Sequence, residues 1–111
     1  MADRMKSYAE FWPYYLREHA KPETRALHYV GTALALACLA GVVLLQDYRW
    51  IFAALISGYL FAWVGHFFVE KNRPATFTHP LWSLVSDFRM FFCWITGRLG
   101  QELRKAGVAT A

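Results

Sequence analysis

Apolar residues in this chain form two uncharged blocks, at residues 29–45 and 50–69, between stretches of mixed polarity. Each block is long enough to cross a bilayer as a helix. Their Leu, Ile, Phe and Val residues favour insertion by about 2–5 kcal/mol in the first block and about 3–6 kcal/mol in the second. Since only residues 46–49 separate the blocks, the sequence predicts an antiparallel hairpin with spans over 23–45 and 50–70.

The flanking stretches have the spacing of amphipathic helices. In residues 7–20, apolar positions follow the capping pattern Ser7-x-x-Glu10, which predicts a helix at the membrane interface. Residues 80–97 carry an apolar stripe interrupted by Asp87 and Arg89. We expect an amphipathic helix there, or a third membrane helix with both charges paired. Residues 100–111 are predicted to be a frayed polar tail. The predicted fold is a single all-α membrane domain, a small helical bundle in which interfacial helices flank the two-span hairpin.

Composition and charge support a membrane protein. The chain is 57% hydrophobic and only 18% charged, against about 45–50% and 25% in globular domains. All 12 Lys and Arg residues except Arg49 lie in the two flanks, so the positive-inside rule predicts a multi-pass integral protein with both termini in the cytoplasm. The membrane would be the inner membrane of a bacterium or the endoplasmic reticulum of a eukaryote. The net charge of +4 then follows from the Lys and Arg residues on the cytoplasmic side, which also suit contact with acidic lipid headgroups. No nucleic-acid partner is expected.

Four histidines are predicted to meet at the cytoplasmic end of the hairpin: His19, His28, His66 and His79. Counted from the loop at about 1.5 Å per residue, His28 and His66 reach the same depth, and His19 and His79 border the spans. A ridge of small residues on the second span (Ala54, Gly58, Ala62) continues to His66 and Glu70. We expect it to face a ridge on the first span formed by Ala33, Ala37 and Gly41.

Imidazole and carboxylate donors without thiolate suit iron, zinc or copper. A mononuclear non-haem Fe(II) is the most economical fit, while a haem held between His28 and His66 remains open. Asp87 is expected to reach a histidine N–H, and Tyr15 to act as an interfacial anchor or to support a histidine from outside the ligand set.

Four segments together resemble the Mpo-like family of membrane dioxygenases: YLREH at 15–19, HYVGT at 28–32, GHFFVE at 65–70 and NRPA at 72–75. The resemblance implies an Fe(II) enzyme that uses O2 to shorten 2-hydroxy fatty acids by one carbon (α-oxidation). It matches His19, His28 and His66 to the family's histidines, and makes His79 either a fourth ligand or a branch-specific residue outside the ligand set.

The resemblance also suggests roles for charged residues beside the second span. Glu70 would be a ligand or would orient a histidine, and Arg73 or Lys71 would hold the substrate carboxylate. Two other classes stay open at this point: a haem or quinone redox protein that uses the same histidines, and a non-catalytic membrane scaffold. A homo-oligomer is also possible at this point, because a two-span hairpin alone covers little of a site. Either the flanking helices or a second protomer would have to cover it.

Overall fold

The computed structural model describes residues 5–108, and within that range every regular element is helical. The α-helices, in chain order, are α1 (Tyr8–Arg17), α2 (Pro22–Leu44), α3 (Trp50–Val64), α4 (Pro80–Ile95) and α5 (Leu99–Ala106). A π-helical segment (Gly65–Glu70) continues α3, and a short 3-10 turn (Ala75–Phe77) precedes α4. The predicted all-α fold class is confirmed.

Local sequence signals account for the helix starts. The Ser7 side chain accepts a hydrogen bond from the backbone N–H of Glu10 at 3.3 Å and caps α1, as the capping pattern predicts. Pro22 and Pro80 open α2 and α4, where a missing N–H costs nothing. Pro13 lies inside α1.

Helices α2 and α3 form a close antiparallel hairpin. A Cβ added to Gly31 would lie 3.1 Å from both the Phe61 Cβ and the Ser57 carbonyl oxygen, so the helices approach this closely only because residue 31 has no side chain. Ala54 and Ala62 are buried on the facing side of α3, as predicted for its small-residue ridge.

The ridge predicted on α2 is wrong in register at two of its three positions. Ala33 and Ala37 are exposed, and Gly31 and Ala35 make the contact with α3 instead, whereas Gly41 does face Trp50 of α3. The reason is that His28 points into the molecule, and residues three and seven positions beyond it share its helical face.

Helix α4 buries a face on which polar and apolar side chains mix. Ser83, Ser86, Met90 and Phe91 are buried, whereas Leu84 and Phe92 of the apolar stripe are exposed. Ser86 Oγ lies 2.8 Å from the hydroxyl of Tyr8 in α1. The apolar stripe is therefore only partly covered by the rest of the described chain.

The expected frayed tail is instead mostly helical. Helix α5 buries Leu99, Leu103 and Ala106, whose spacing makes one apolar face, and it packs against α1. Trp12 Nε1 in α1 donates a hydrogen bond to Glu102 at 2.8 Å. The last three residues of the predicted tail, 109–111, lie outside the described range.

Two helical stretches are long and apolar enough to cross a membrane: Pro22–Leu44, and Trp50–Glu70, which combines α3 with the π segment. Only 22% of each apolar window is buried. The core helix of a water-soluble protein would be mostly covered, so this exposure is compatible with helices that cross a membrane. The buried aromatic and aliphatic core lies instead at one end, among α1, α4 and α5.

Candidate metal centre

Three of the four predicted histidines meet at the end of the hairpin opposite its loop. His19 follows the C-terminus of α1, His28 lies in the second turn of α2, and His66 lies in the π segment. Their side chains are 1%, 3% and 2% exposed. Residues from three separate elements therefore converge on one buried point.

The atoms that converge are the three Nε2 nitrogens. His19 Nε2 lies 3.0 Å from His28 Nε2 and 2.9 Å from His66 Nε2. All three potential ligand atoms lie within 4.8 Å of one another, and the ring planes are nearly perpendicular.

The opposite ring nitrogen of each histidine faces an oxygen. Nδ1 of His19 lies 2.6 Å from the Tyr15 carbonyl, Nδ1 of His28 lies 2.9 Å from the Thr24 carbonyl, and Nδ1 of His66 lies 2.7 Å from Asn72 Oδ1. A carbonyl oxygen only accepts, so each Nδ1 must carry the proton. In a neutral imidazole Nε2 then holds a lone pair.

Three lone pairs consequently point at one another without a proton between them. Such short Nε2 contacts are not hydrogen bonds, and a cation among them would turn their repulsion into attraction. Two nitrogens 3.0 Å apart can both lie about 2.1 Å from one ion, the usual metal–imidazole distance. The donor set thus fits a metal ion, with Nδ1 partners of the kind that orient ligating histidines.

Electrostatics favour the neutral, ligating form of His19. Burial, followed by the neighbouring imidazoles of His28 and His66, holds the pKa of His19 well below its ordinary value. The imidazole of His19 is therefore neutral near neutral pH and can bind a metal ion without first releasing a proton.

Asn72 is a site residue to which the sequence analysis gave no role. Its Oδ1 accepts from His66, while its Nδ2 donates to the backbone carbonyl of Glu18 at 3.0 Å. The side chain thereby ties the π segment to the end of α1. Asn72 belongs to the NRPA motif at 72–75. It follows His66 by six positions, and the π segment between them allows the two side chains to meet.

Two buried groups support His19 from outside the triad. The Tyr15 ring stacks on the His19 ring, with centroids 4.0 Å apart, and its hydroxyl donates to Asp87. Tyr15 is fully buried, so the expectation of an interfacial anchor is wrong, and the ring contact with His19 agrees with the other expected role, support of a histidine. The expectation that Asp87 bonds a histidine is also wrong, because α4 presents Asp87 to the Tyr15 hydroxyl.

Arg25 also holds the connection between α1 and α2. Its Nη1 donates to the carbonyls of His19 at 2.8 Å and Ala20 at 2.9 Å. The buried guanidinium of Arg25 therefore fixes the backbone on which His19 stands.

His79 is not brought to the triad. Its Nε2 accepts from the backbone N–H of Met5 at 3.2 Å, and its Nδ1 lies 2.8 Å from Thr78 Oγ1. Its ring packs between Phe11 and Trp82. Depth along the chain placed His79 near the other histidines, but the loop before α4 turns its ring into the aromatic core.

Neither Glu70 nor Arg73 contributes a ligand atom to the converging group. The Glu70 carboxylate accepts a hydrogen bond from the backbone N–H of Lys21, which joins the end of the π segment to the start of α2. The Arg73 guanidinium lies 5.6 Å from the centre of the Phe77 ring on an exposed surface.

Comparison with known proteins gives one family. A family model described as 2-hydroxy-palmitic acid dioxygenase Mpo1-like matches residues 5–99. No curated protein and no solved structure matches the chain.

Proposed function

The chain belongs to the Mpo1-like family, and we propose that it is a membrane dioxygenase that shortens 2-hydroxy fatty acids by one carbon at an iron held by His19, His28 and His66. The observation that carries this proposal is the convergence of three proton-free Nε2 atoms in a buried site. Ferrous iron bound there would supply the redox chemistry by which O2 takes four electrons from the 2-hydroxy carboxylate, giving CO2, water and the shorter acid.

The residues around the triad hold it ready for this role. The acceptors at Nδ1 keep the rings in the ligating tautomer, and burial keeps bulk water away. Both ring nitrogens of His79 are engaged elsewhere, so we leave it out of the ligand set. We also assign no catalytic role to Glu70 or Arg73, since each is engaged away from the triad.

We further propose that both candidate helices cross the membrane with the termini in the cytoplasm. Support comes from the apolar surfaces of α2 and α3 and from the Lys and Arg residues, which flank the hairpin on one side except for Arg49. The triad then lies at the cytoplasmic interface, where the carboxylate of a fatty acid also lies.

Metal reconstitution tests the proposed chemistry. Protein purified in detergent is stripped of metal and reloaded with Fe(II), Zn(II) or Mn(II), and O2 uptake is followed with 2-hydroxypalmitic acid or palmitic acid. We expect uptake only with Fe(II) and only with the 2-hydroxy acid. Uptake that ignores the 2-hydroxyl group, or a haem Soret band in the purified protein, would contradict the proposal and favour a redox protein of another kind.

Histidine variants separate the proposal from a non-catalytic scaffold. His19→Gln, His28→Gln and His66→Gln should lose bound iron, as measured by elemental analysis, together with O2 uptake. His79→Gln is the matched control and should keep both, because it removes a buried imidazole from outside the triad. If all four variants retain iron, the triad is not the metal site.

A further inference from the structure

A cavity of about 200 Å³ opens beside the triad, between α2, α3 and α4. On α2 it begins at His28 and continues over Thr32, Ala35 and Leu39. These residues are separated by three or four positions, so they form one face of the helix. The cavity therefore leads away from the metal centre along the hairpin.

The opposite wall is built from small residues of α3. Ala54, Gly58 and Ala62 line the cavity. A Cβ added to Gly58 would meet only the Cβ of Ala35, at 4.0 Å, whereas the same addition at Gly31 meets three atoms at 3.1–3.2 Å. A Cβ at residue 58 would therefore make an ordinary van der Waals contact, unlike the tight helix crossing at Gly31.

Helix α4 covers the cavity only at its triad end, through Leu84, Asp87 and Phe88. Toward the hairpin loop the lining residues Leu39 and Ile51 are 39% and 41% exposed. The cavity is consequently covered where the histidines lie and open sideways along the apolar surface of the hairpin. In a membrane that open side faces hydrocarbon.

The length of the cavity matches a long acyl chain. His28 and Leu39 are separated by about 16 Å along α2 at 1.5 Å per residue. An extended chain covers that distance with roughly 13 carbon–carbon bonds of ~1.5 Å at tetrahedral angles. With the carboxyl carbon and the hydroxyl-bearing carbon at the triad, this corresponds to a fatty acid of about sixteen carbons.

We propose that this cavity binds the tail of the 2-hydroxy fatty acid, and that the absence of a side chain at Gly58, in the cavity wall, sets the chain length that the site accepts. The inference rests on the proposed function and adds to it the location of the tail and the residues that select its length. Ala35 lies seven residues beyond His28, or about 10 Å, so a side chain at residue 58 would leave room for roughly ten carbons.

Photoaffinity labelling tests the binding site without requiring turnover. Metal-free protein in phosphatidylcholine vesicles is irradiated with a 2-hydroxypalmitic acid that carries a diazirine at mid-chain, and the adducts are mapped by mass spectrometry. We expect adducts on Leu39, Leu55 or Gly58 that unlabelled 2-hydroxypalmitic acid competes away. Adducts confined to the outward residues Ile56 and Leu60, or competition by added phosphatidylcholine alone, would overturn the proposal.

Chain-length selection tests the role of Gly58. In iron-loaded Gly58→Leu we expect the ratio of kcat/KM for 2-hydroxypalmitic over 2-hydroxydecanoic acid to fall by about tenfold or more, with bound iron unchanged. The matched control Ile56→Phe adds bulk on the exposed face of α3 and should keep the wild-type ratio. An unchanged ratio in folded Gly58→Leu would overturn the proposal.

The two experiments also separate this inference from the proposed function. Competed labelling in the cavity together with an inactive iron-loaded protein would retain the tail site and reject the dioxygenase. An active enzyme whose labels lie outside the cavity would retain the dioxygenase and reject the tail site. If Gly58→Leu does not fold, labelling of the wild-type protein alone decides.

Discussion

At the scale of single residues, the chemistry of the site depends on the oxygen that faces each Nδ1. Two of these oxygens are backbone carbonyls one helical turn before their histidine, at Tyr15 and Thr24, so helix geometry alone provides them. The third belongs to the Asn72 side chain and can be removed by mutation.

Replacing Asn72 with Ala should weaken metal binding about 10- to 100-fold, the usual effect of losing a group that orients a ligating histidine. The His66 ring would lose the acceptor that fixes its tautomer. Metal affinity can be measured by competition with a chelator of known strength. Asn72→Asp keeps an acceptor oxygen and should retain most of the affinity; an equal loss in both variants would contradict the orienting role.

Asp87 should make stability depend on pH. Burial raises its pKa to about 7, despite the opposing hydrogen bond from Tyr15. The native state then binds a proton that the unfolded state releases near pH 4, so the contribution of Asp87 to stability falls as pH rises from about 4 through about 7. The titratable groups that face Asp87 are Tyr15 of α1, through the hydrogen bond, and His28 of α2, which lines the same cavity.

Comparison with Asp87→Asn isolates this effect from the titration of the histidines. Asn resembles the protonated acid and does not titrate. Between pH 5 and pH 8, the unfolding temperature of the wild-type protein should therefore fall relative to that of the variant. A difference that stays constant over this range would show that Asp87 does not titrate there.

The convergence of three histidines could be predicted from the sequence, because depth along two helices of known length is simple arithmetic. The place of His79 could not. Depth says nothing about rotation around the helix axis, and the short turn before α4 directs that ring to Met5 and Trp82.

At the scale of elements, the spans and caps follow from local pattern, but the inward face of a helix does not. Periodicity identified the apolar stripe of α4, yet two serines are buried beside Met90 and Phe91, while Leu84 and Phe92 of the stripe are exposed. The spacing of apolar residues shows that a helix has two faces, but it does not show which side chains the neighbouring helices will cover. Helix α5 was missed because a helix of only 8 residues is not stable by itself and depends on tertiary packing, here against α1.

The close crossing of α2 and α3 should make Gly31 intolerant of any side chain. Gly31→Ala should lower the free energy of unfolding by about 1–3 kcal/mol, as overpacking does, because its Cβ would push on Phe61 and on two carbonyl oxygens. Gly58→Ala is the control and should leave stability nearly unchanged. Thermal unfolding in detergent measures both, and equal effects would contradict the difference in packing.

At the scale of the whole molecule, an apolar hairpin carries a compact cap made of α1, α4 and α5, and the triad lies where the two parts join. Positive charge gathers on the cap side. The molecule thus has one end suited to the interface and one suited to hydrocarbon.

Cysteine labelling tests the proposed orientation, in which both termini lie in the cytoplasm and the hairpin loop lies on the other side of the membrane. In a background where Cys38 and Cys93 are replaced by Ser, Tyr48→Cys places a thiol in the exposed hairpin loop, and Lys105→Cys places one on α5. In right-side-out vesicles, a membrane-impermeant maleimide should label residue 48 directly and residue 105 only after permeabilisation. The reverse order would contradict cytoplasmic termini.

Product analysis tests the central claim most directly. Iron-loaded protein is given 2-hydroxypalmitic acid with a labelled carboxyl carbon, and O2 consumed, labelled CO2 and pentadecanoic acid are quantified together. We predict equal amounts of all three, with none formed by His66→Gln. Substrate-independent O2 consumption, or no pentadecanoic acid from protein that holds its iron, would contradict the assignment of this triad as a dioxygenase centre.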